Sequence, residues 1–365
     1  MRNIGIVGHV ARGLSMADGQ TIKTRMLIEE LNGKLNDEVQ VVDTHNWTKR
    51  PIQLIVQCIQ LIRTCKHIVI MPAYKGILVF LPLFVLLNML YRRKIHYVVI
   101  GGWLVGYLKK RKALVPFAKR LETIHVESAA MIAGLEELGF ANAYYMPNFK
   151  RLPLIAEHEL VYDHHPPYKL CTFSRVMKEK GIEEAIDAVT QVNLLMGRTV
   201  YTLDIYGAIE EGYNSRFQSV LGQSGEDVQY RGIVAYDQSV NVLKDYFLML
   251  FPTYFPGEGF AGTLLDCLAS GLPVLATDWK YNKEIVKDEV TGYIYDHRAN
   301  SLKEELLRIL QNPELVLALK GNCVKEYQRY HPDHVIEHFL AVIDREDSTS
   351  SNEGRKLYGE RNQAQ

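Results

Sequence analysis

Residues 255–278 read FPGEGFAGTLLDCLASGLPVLATD. Glu258 stands in a turn with Gly257, Gly259 and Gly262, and a second acid, Asp266, follows after seven intervening residues. An apolar segment then reaches Gly271-Leu272-Pro273 and a strand-like run, Val274 to Thr277. Glycine has no Cβ, so the backbone of this turn can approach a ligand closely. A helix beginning near Gly262 or Thr263 offers unpaired N–H groups to an anion. One acid on the loop and another inside the helix suit the hydroxyls of a sugar and of a ribose. The stretch is therefore expected to hold a nucleotide-sugar. The plain alternative is a loop–helix–strand unit whose two acids coincide by chance.

Working outward, the second half alternates strand-like and helical runs. Its strands are expected at 170–175, 199–206, 228–231, 247–251, 274–277 and 293–295. The first half alternates in the same way, with strands expected at 2–9, 39–43, 67–71, 96–100, 123–127 and 143–146. Helices are expected at 20–32, 51–65, 77–91 and, at the C-terminal end, 333–344. Such alternation argues for parallel, doubly wound α/β sheets, which take ligands at the carboxyl ends of their strands. Two of these halves, joined near Pro147 to Pro153, predict two Rossmann-like domains facing across a cleft.

A second motif opens the second half: CTFSRVMKEKGIEEAIDAV, Cys171 to Val189. It is a strand, a basic loop and an amphipathic helix. Arg175 and Lys180 near the start of one helix can neutralise a diphosphate through charge-assisted hydrogen bonds and the helix dipole. By itself the loop is equally a solvated basic turn.

These two motifs resemble the retaining GT-B glycosyltransferases, the large group called glycosyl transferases group 1 or family 4. The resemblance rests on Glu258, Gly259, Phe260, Leu264, Leu265, Ala269, Gly271, Pro273, Val274, Ala276 and Thr277, and on Arg175 and Lys180 about 80 residues earlier. The chain departs at Asp266, where glutamate is common, and at Ser174, where glycine is usual. The segment DWKYNKEI, Asp278 to Ile285, resembles capsule and exopolysaccharide members of that family; Trp279 and Asn282 are expected only to pack or cap.

The resemblance implies a metal-independent hexosyltransferase that uses a nucleotide-sugar, UDP-linked, with no other cofactor. It implies that Arg175 and Lys180 hold the leaving diphosphate and that Glu258 positions the sugar hydroxyls. It places Asp266, Gly259, Phe260, Ala261, Gly262 and Thr263 around the donor, with Gly207 of the strand end DIYG. Gly232 and Ile233 of YRGI are expected to pass the base. The loop ADGQTIKT, Ala17 to Thr24, takes the place of the family's glycine loop, so Gly19, Gln20 and Thr21 are candidates to touch donor or acceptor; a simply capped helix is the alternative. Many members carry a histidine after a first-domain strand. The comparable stretch here, VVIGGWLVGY (Val98 to Tyr107), has none, and His125 is expected to be structural. Transfer on the same face as the departing diphosphate needs no protein base. The domains expected are 1–149, with a C-terminal helix at about 333–345 packing back on it, 150–332 for the nucleotide-sugar, and a disordered tail at 346–365.

Composition agrees with a globular chain: 365 residues, 47% hydrophobic and 23% charged. The five cysteines have no metal-ligand spacing, and neither an Asp-x-Asp pair nor a histidine cluster suggests a metal site; His164-His165 lies on an expected linker. An odd number of unpatterned thiols and a start without a signal-peptide core point to a cytoplasmic setting. Charge is uneven. Residues 1–150 hold 20 Lys and Arg against 10 Asp and Glu, and residues 151–365 hold 22 against 32. No nucleic-acid module is visible, so the anionic partner expected for the first half is a membrane surface. The segment Gly76 to Leu90 is apolar on every face but shorter than a membrane span. It is either a buried crossover helix or a helix that touches lipid, with Arg92, Arg93 and Lys94 at headgroup level. The acceptor expected is lipid-linked or a polysaccharide, in surface glycan synthesis at the inner face of the cell membrane. A UDP-sugar epimerase of the same fold and a non-catalytic, partner-binding glycosyltransferase-like subunit are the alternatives.

Overall fold

The computed structural model describes residues 3–14, 19–35, 38–163, 165–297 and 301–345. The expectations for Ala17 and Asp18, His164, and the tail 346–365 lie outside the described residues. The chain divides into two units, 1–148 with 332–365, and 149–331.

The first unit carries six parallel strands: β1 (Ile4–Gly8), β2 (Gln40–Asp43), β3 (His67–Ile70), β4 (Lys94–Val98), β5 (Thr123–Val126) and β6 (Ala143–Tyr145). Their order in the sheet is β2-β1-β3-β4-β5-β6. β1, β3 and β5 are buried along their whole length, as a sheet covered by crossover helices on both faces requires. The helix Pro332–Arg345 belongs to this unit. Lys34 reaches Glu337 at 2.9 Å, and the Phe339 ring lies 4.7 Å from that of His125.

The helix Ile77–Tyr91 has two faces although its sequence is apolar all round. Ile77, Phe80, Leu81, Phe84 and Val85 are buried, whereas Leu86, Met89 and Leu90 are 56%, 66% and 77% exposed. No helix among the described residues is long and apolar enough to cross a membrane. The basic cluster after it differs from expectation. Arg93 donates to the carbonyls of Ile62 and Arg63, which end the neighbouring helix Pro51–Thr64, and Lys94 stands in β4 facing Glu122 at 3.4 Å. Free helix-end carbonyls recruit cations, so of the three only Arg92 remains exposed.

The second unit repeats the architecture with β7 (Tyr168–Phe173), β8 (Tyr201–Tyr206), β9 (Val228–Gly232), β10 (Leu248–Phe251), β11 (Val274–Thr277) and β12 (Gly292–Tyr295), all parallel in the order β12-β11-β10-β7-β8-β9. The central strands β10 and β11 are buried throughout. One face packs on the helices Ile182–Met196 and Leu302–Gln311, the other on Gly262–Ala269 and Lys320–Tyr327. The two doubly wound α/β sheets expected from the alternation are thus present, with strand ends within a few residues of those read. β7 starts two residues early because Tyr168 pairs with Tyr201 and buries its ring against Phe247.

Candidate active site

The carboxyl ends of β7 and β10 bring the two motifs of the second unit together. Past β7 the chain makes a short turn at Lys178–Lys180 and enters the helix Ile182–Met196 through Gly181. Gly181 has φ +70°, and a Cβ on it would stand 2.2 Å from the carbonyl oxygen of Pro252. Only glycine fits there. The loop after β10 in turn hydrogen-bonds the basic turn, Tyr254 N–H to Glu179 O at 2.8 Å. Lys180 and Glu258 are thereby set face to face. Their Nζ and Oε2 are 2.6 Å apart, with 8% and 7% of the side chains exposed. The Thr253 hydroxyl donates to the same Oε2 at 2.7 Å. Among the described residues Oε1 of Glu258 accepts no hydrogen bond, which leaves it for a ligand hydroxyl. Burial pulls the Lys180 ammonium below the ordinary lysine range, and the Glu258 carboxylate opposes that pull.

Arg175 is exposed, its guanidinium carbon 5.5 Å from the centre of the Phe255 ring; the Lys180 ammonium lies 5.6 Å from the same ring and 5.3 Å from that of Phe251. The Phe255 ring is thus within cation–π reach of both cations. The turn is fastened by the Trp279 indole, which donates to Phe255 O at 2.8 Å, so Trp279 secures the turn that carries Glu258. Beside it, Gly207 at φ +135° lets β8 pass the Ser174–Arg175 backbone; a Cβ there would meet Ser174 O at 1.8 Å.

The helix after the acid turn is Gly262–Ala269, and no side chain caps its start at Ala261. Its first N–H groups are left for an anion. Thr263 spends its hydroxyl on Phe173 O, tying the helix to the end of β7. The Phe260 side chain is buried against Tyr330, so Phe260 and Gly259 can meet a ligand only through backbone. Asp266 is buried and pairs with Lys150, Nζ to Oδ1 at 2.5 Å, while Ser239 donates to that oxygen at 2.5 Å. Burial raises the Asp266 carboxyl above its ordinary range, with Lys150 and Ser239 opposing. Gly232 gives its carbonyl to Gly207 N–H at 2.8 Å, and the Ile233 side chain is 73% exposed.

In the first unit, Gly19 opens the helix Gly19–Lys34 and is exposed. Gln20 donates to Met71 O at 3.4 Å, and Thr21 is buried with its hydroxyl 2.8 Å from His9 Nδ1. About one turn into the same helix, Lys23 pairs with Glu127 at 2.5 Å, both buried, and Glu127 also accepts the Gly101 N–H at 3.0 Å. His125 is buried and hydrogen-bonded to Thr123. Burial first, then the charges of His338 and Lys23, lower it to about 3. Such a ring stays neutral and structural.

Sequence reading did not find Lys150, Ser239, Thr253, Lys23 or Glu127. Thr253 lies five residues before Glu258, a spacing with no meaning until the turn folds. Lys150 and Asp266 are separated by 116 positions, and nothing local marks the lysine. Among the described residues no group of three His, Cys, Asp or Glu is placed to hold a metal ion.

Residues 162–325 match the sequence profile described as glycosyl transferases group 1. The UDP-N-acetylglucosamine–peptide N-acetylglucosaminyltransferase GtfA subunit of Streptococcus gordonii is 26% identical over 197 residues, 53% of this chain and 37% of the relative. The amylovoran biosynthesis glycosyltransferase AmsK of Erwinia amylovora is 23% identical over 175 residues, 46% of this chain and 42% of the relative. The matched segments thus span well under half the length of these relatives. The crystal structure of Anabaena Alr3699/HepE in complex with UDP and glucose superposes with a TM-score of 0.71 at 14% identity, covering 94% of this chain and 100% of that one. The strand orders, the two motifs and these likenesses agree: the chain has the GT-B fold, and its residues 162–325 match the glycosyl transferases group 1 family.

Proposed function

We propose that this protein is a retaining glycosyltransferase that moves a hexose or N-acetylhexosamine from a UDP-sugar to a growing surface glycan. The observation that carries the reading is the buried Lys180–Glu258 pair with the exposed Arg175 beside it on the Phe255 ring. Lys180 and Arg175 supply two positive charges where a diphosphate departs, and Glu258 keeps Oε1 for a donor hydroxyl. In the reaction the bond from the anomeric carbon to the diphosphate oxygen breaks and a bond to the acceptor oxygen forms on the same face. The acceptor proton passes to the departing phosphate oxygen. Fixed cations at that oxygen stabilise the charge that develops on it. Asp266 and the uncapped start of Gly262–Ala269 take the nucleoside and phosphate end, and Ile233 stands where the base would pass. Gly19, Gln20 and Thr21 are the acceptor-side candidates of the first unit. The GtfA subunit, named for UDP-N-acetylglucosamine, and HepE, solved with UDP and glucose, support UDP as the carrier and N-acetylglucosamine as the first sugar to try.

The acceptor proposed is carried on a lipid at the cytoplasmic face of the membrane. The support is the exposed apolar stripe of helix Ile77–Tyr91, Leu86, Met89 and Leu90, together with the basic excess of residues 1–150. An exposed apolar stripe followed by one exposed cation, Arg92, on a unit with a basic excess suits an anionic bilayer surface. AmsK, named for amylovoran biosynthesis, supports a polysaccharide product.

The test is a thermal-shift panel of UDP, GDP, ADP and their sugar conjugates, followed by transfer assays with the donor that binds. The acceptors are a lipid-linked glycan and a Ser/Thr-rich peptide. Saturation at a hundred times the dissociation constant should stabilise the fold by about 2.7 kcal/mol. Stabilisation by UDP compounds and transfer to the lipid-linked glycan is the outcome expected. Transfer to the peptide alone would replace the acceptor, and no shift with any nucleotide would favour the non-catalytic subunit.

A further inference from the structure

We propose that Lys150 is a specificity-determining, positioning residue for the nucleoside half of the donor, acting through Asp266. The inference rests on the UDP-sugar reading and names a residue outside the matched segment 162–325. Asp266 is one methylene shorter than the glutamate common at this place, and the Lys150 ammonium stands against it. Nζ of Lys150 and the Ser239 hydroxyl both take Oδ1, at 2.5 Å each. Among the described residues Oδ2 accepts no hydrogen bond. The carboxylate is thus pinned by one oxygen with the other left over, the arrangement that accepting a ribose hydroxyl requires.

Lys150 is itself held at both ends. The Tyr327 hydroxyl donates to Lys150 O at 2.5 Å and accepts the Leu152 N–H at 3.0 Å, and Tyr327 is fully buried. At the other end the ammonium lies 4.3 Å from the centre of the Tyr236 ring, which is 43% exposed and covers it on its outer side. A lysine in water samples many rotamers; this one is clamped between a ring, a carboxylate and an anchored backbone. An anchored cation keeps a buried carboxylate ionised. An ionised carboxylate accepts hydrogen bonds from hydroxyls without offering a proton of its own. Lys150 therefore sets how strongly the site distinguishes a ribose from a sugar lacking its hydroxyls.

The experiment is calorimetric titration of the full chain with UDP and with 2′,3′-dideoxy-UDP. The proteins are wild type, Lys150→Met and the charge-neutral double variant Lys150→Met/Asp266→Asn. In wild type, UDP should bind about 10-fold more tightly than the dideoxy compound, the worth of one hydrogen bond to a charged group. Lys150→Met should lose that preference, by weakening UDP about 10-fold while leaving the dideoxy ligand within about 2-fold. The double variant removes both buried charges, so it keeps the inference testable if the single variant does not fold; it too should bind the two ligands alike. Retained preference in either folded variant, or equal weakening of both ligands, would overturn the role of Lys150 while leaving the UDP-sugar reading standing. Failure of wild type to bind UDP at all would overturn both.

Discussion

Lys180 and Glu258 are 78 positions apart in the chain and meet at 2.6 Å inside the second unit, each less than a tenth exposed. Both charges are largely withdrawn from water, so each is the other's main electrostatic partner. Removing one leaves a buried, uncompensated charge, which costs about 3–5 kcal/mol. Lys180→Ala and Glu258→Ala should therefore lower the melting temperature and reduce transfer by at least about 100-fold. The double variant Lys180→Met/Glu258→Gln should regain most of the stability without the activity. Recovered activity in the double variant would remove both residues from the reaction.

Gly181 admits no side chain. At φ +70° an alanine is strained, and its Cβ would stand 2.2 Å from Pro252 O. Gly181→Ala should destabilise by about 2 kcal/mol or more, since strain and a backbone clash add. The turn that must move to relieve the clash ends at Lys180, so nucleotide affinity should fall with stability. Chemical denaturation and UDP titration of the one variant check both.

Lys320 is wholly buried, and its ammonium donates to Tyr246 O at 3.1 Å. Burial lowers it from 10.5 to about 8, opposed by Cys323, Asp245 and Cys171. The folded state thus releases this proton at lower pH than the unfolded chain does. By linkage, the stability associated with Lys320 is fully present above the unfolded value and is lost as pH falls through about 8. Wild type should therefore gain about 2 kcal/mol relative to Lys320→Met between pH 7.5 and pH 10. Urea midpoints of both proteins across that window measure the difference, and parallel curves would mean the lysine stays charged in the fold.

Leu86 and Leu90 project from helix Ile77–Tyr91 at 56% and 77% exposure. Glutamate at such positions should change stability by no more than about 0.5 kcal/mol. It should, however, set carboxylates against an anionic lipid surface. Leu86→Glu/Leu90→Glu should lose co-sedimentation with phosphatidylserine-containing vesicles while UDP binding is unchanged. Equal sedimentation of variant and wild type would assign the apolar stripe elsewhere.

Much of the fold was legible because parallel strands buried on both faces leave continuous apolar runs between helices. β3, β10 and β11 are such runs, and all twelve described strands fall on segments read from the sequence. The helix Ile77–Tyr91 was legible as a helix but not in its orientation, because a side chain sequence that is apolar all round carries no periodic signal of which face the sheet covers. The basic cluster behind it misled for a different reason. Arg93 and Lys94 look like surface charge in sequence, yet the free carbonyls of a neighbouring helix and the Glu122 carboxylate claim them.

By itself the sequence determined the two α/β halves, the acid turn at Glu258 and the basic turn at Arg175 and Lys180. Each of these depends on residues close together in the chain, where periodicity, glycine and proline act directly on the backbone. Only the tertiary structure decided which side chains share a charge. Lys180 pairs with Glu258, Lys150 with Asp266 and Lys23 with Glu127 across 78, 116 and 104 positions. Crossover connections bring the ends of non-consecutive strands side by side, and a buried ion takes whichever opposite charge that packing puts within reach.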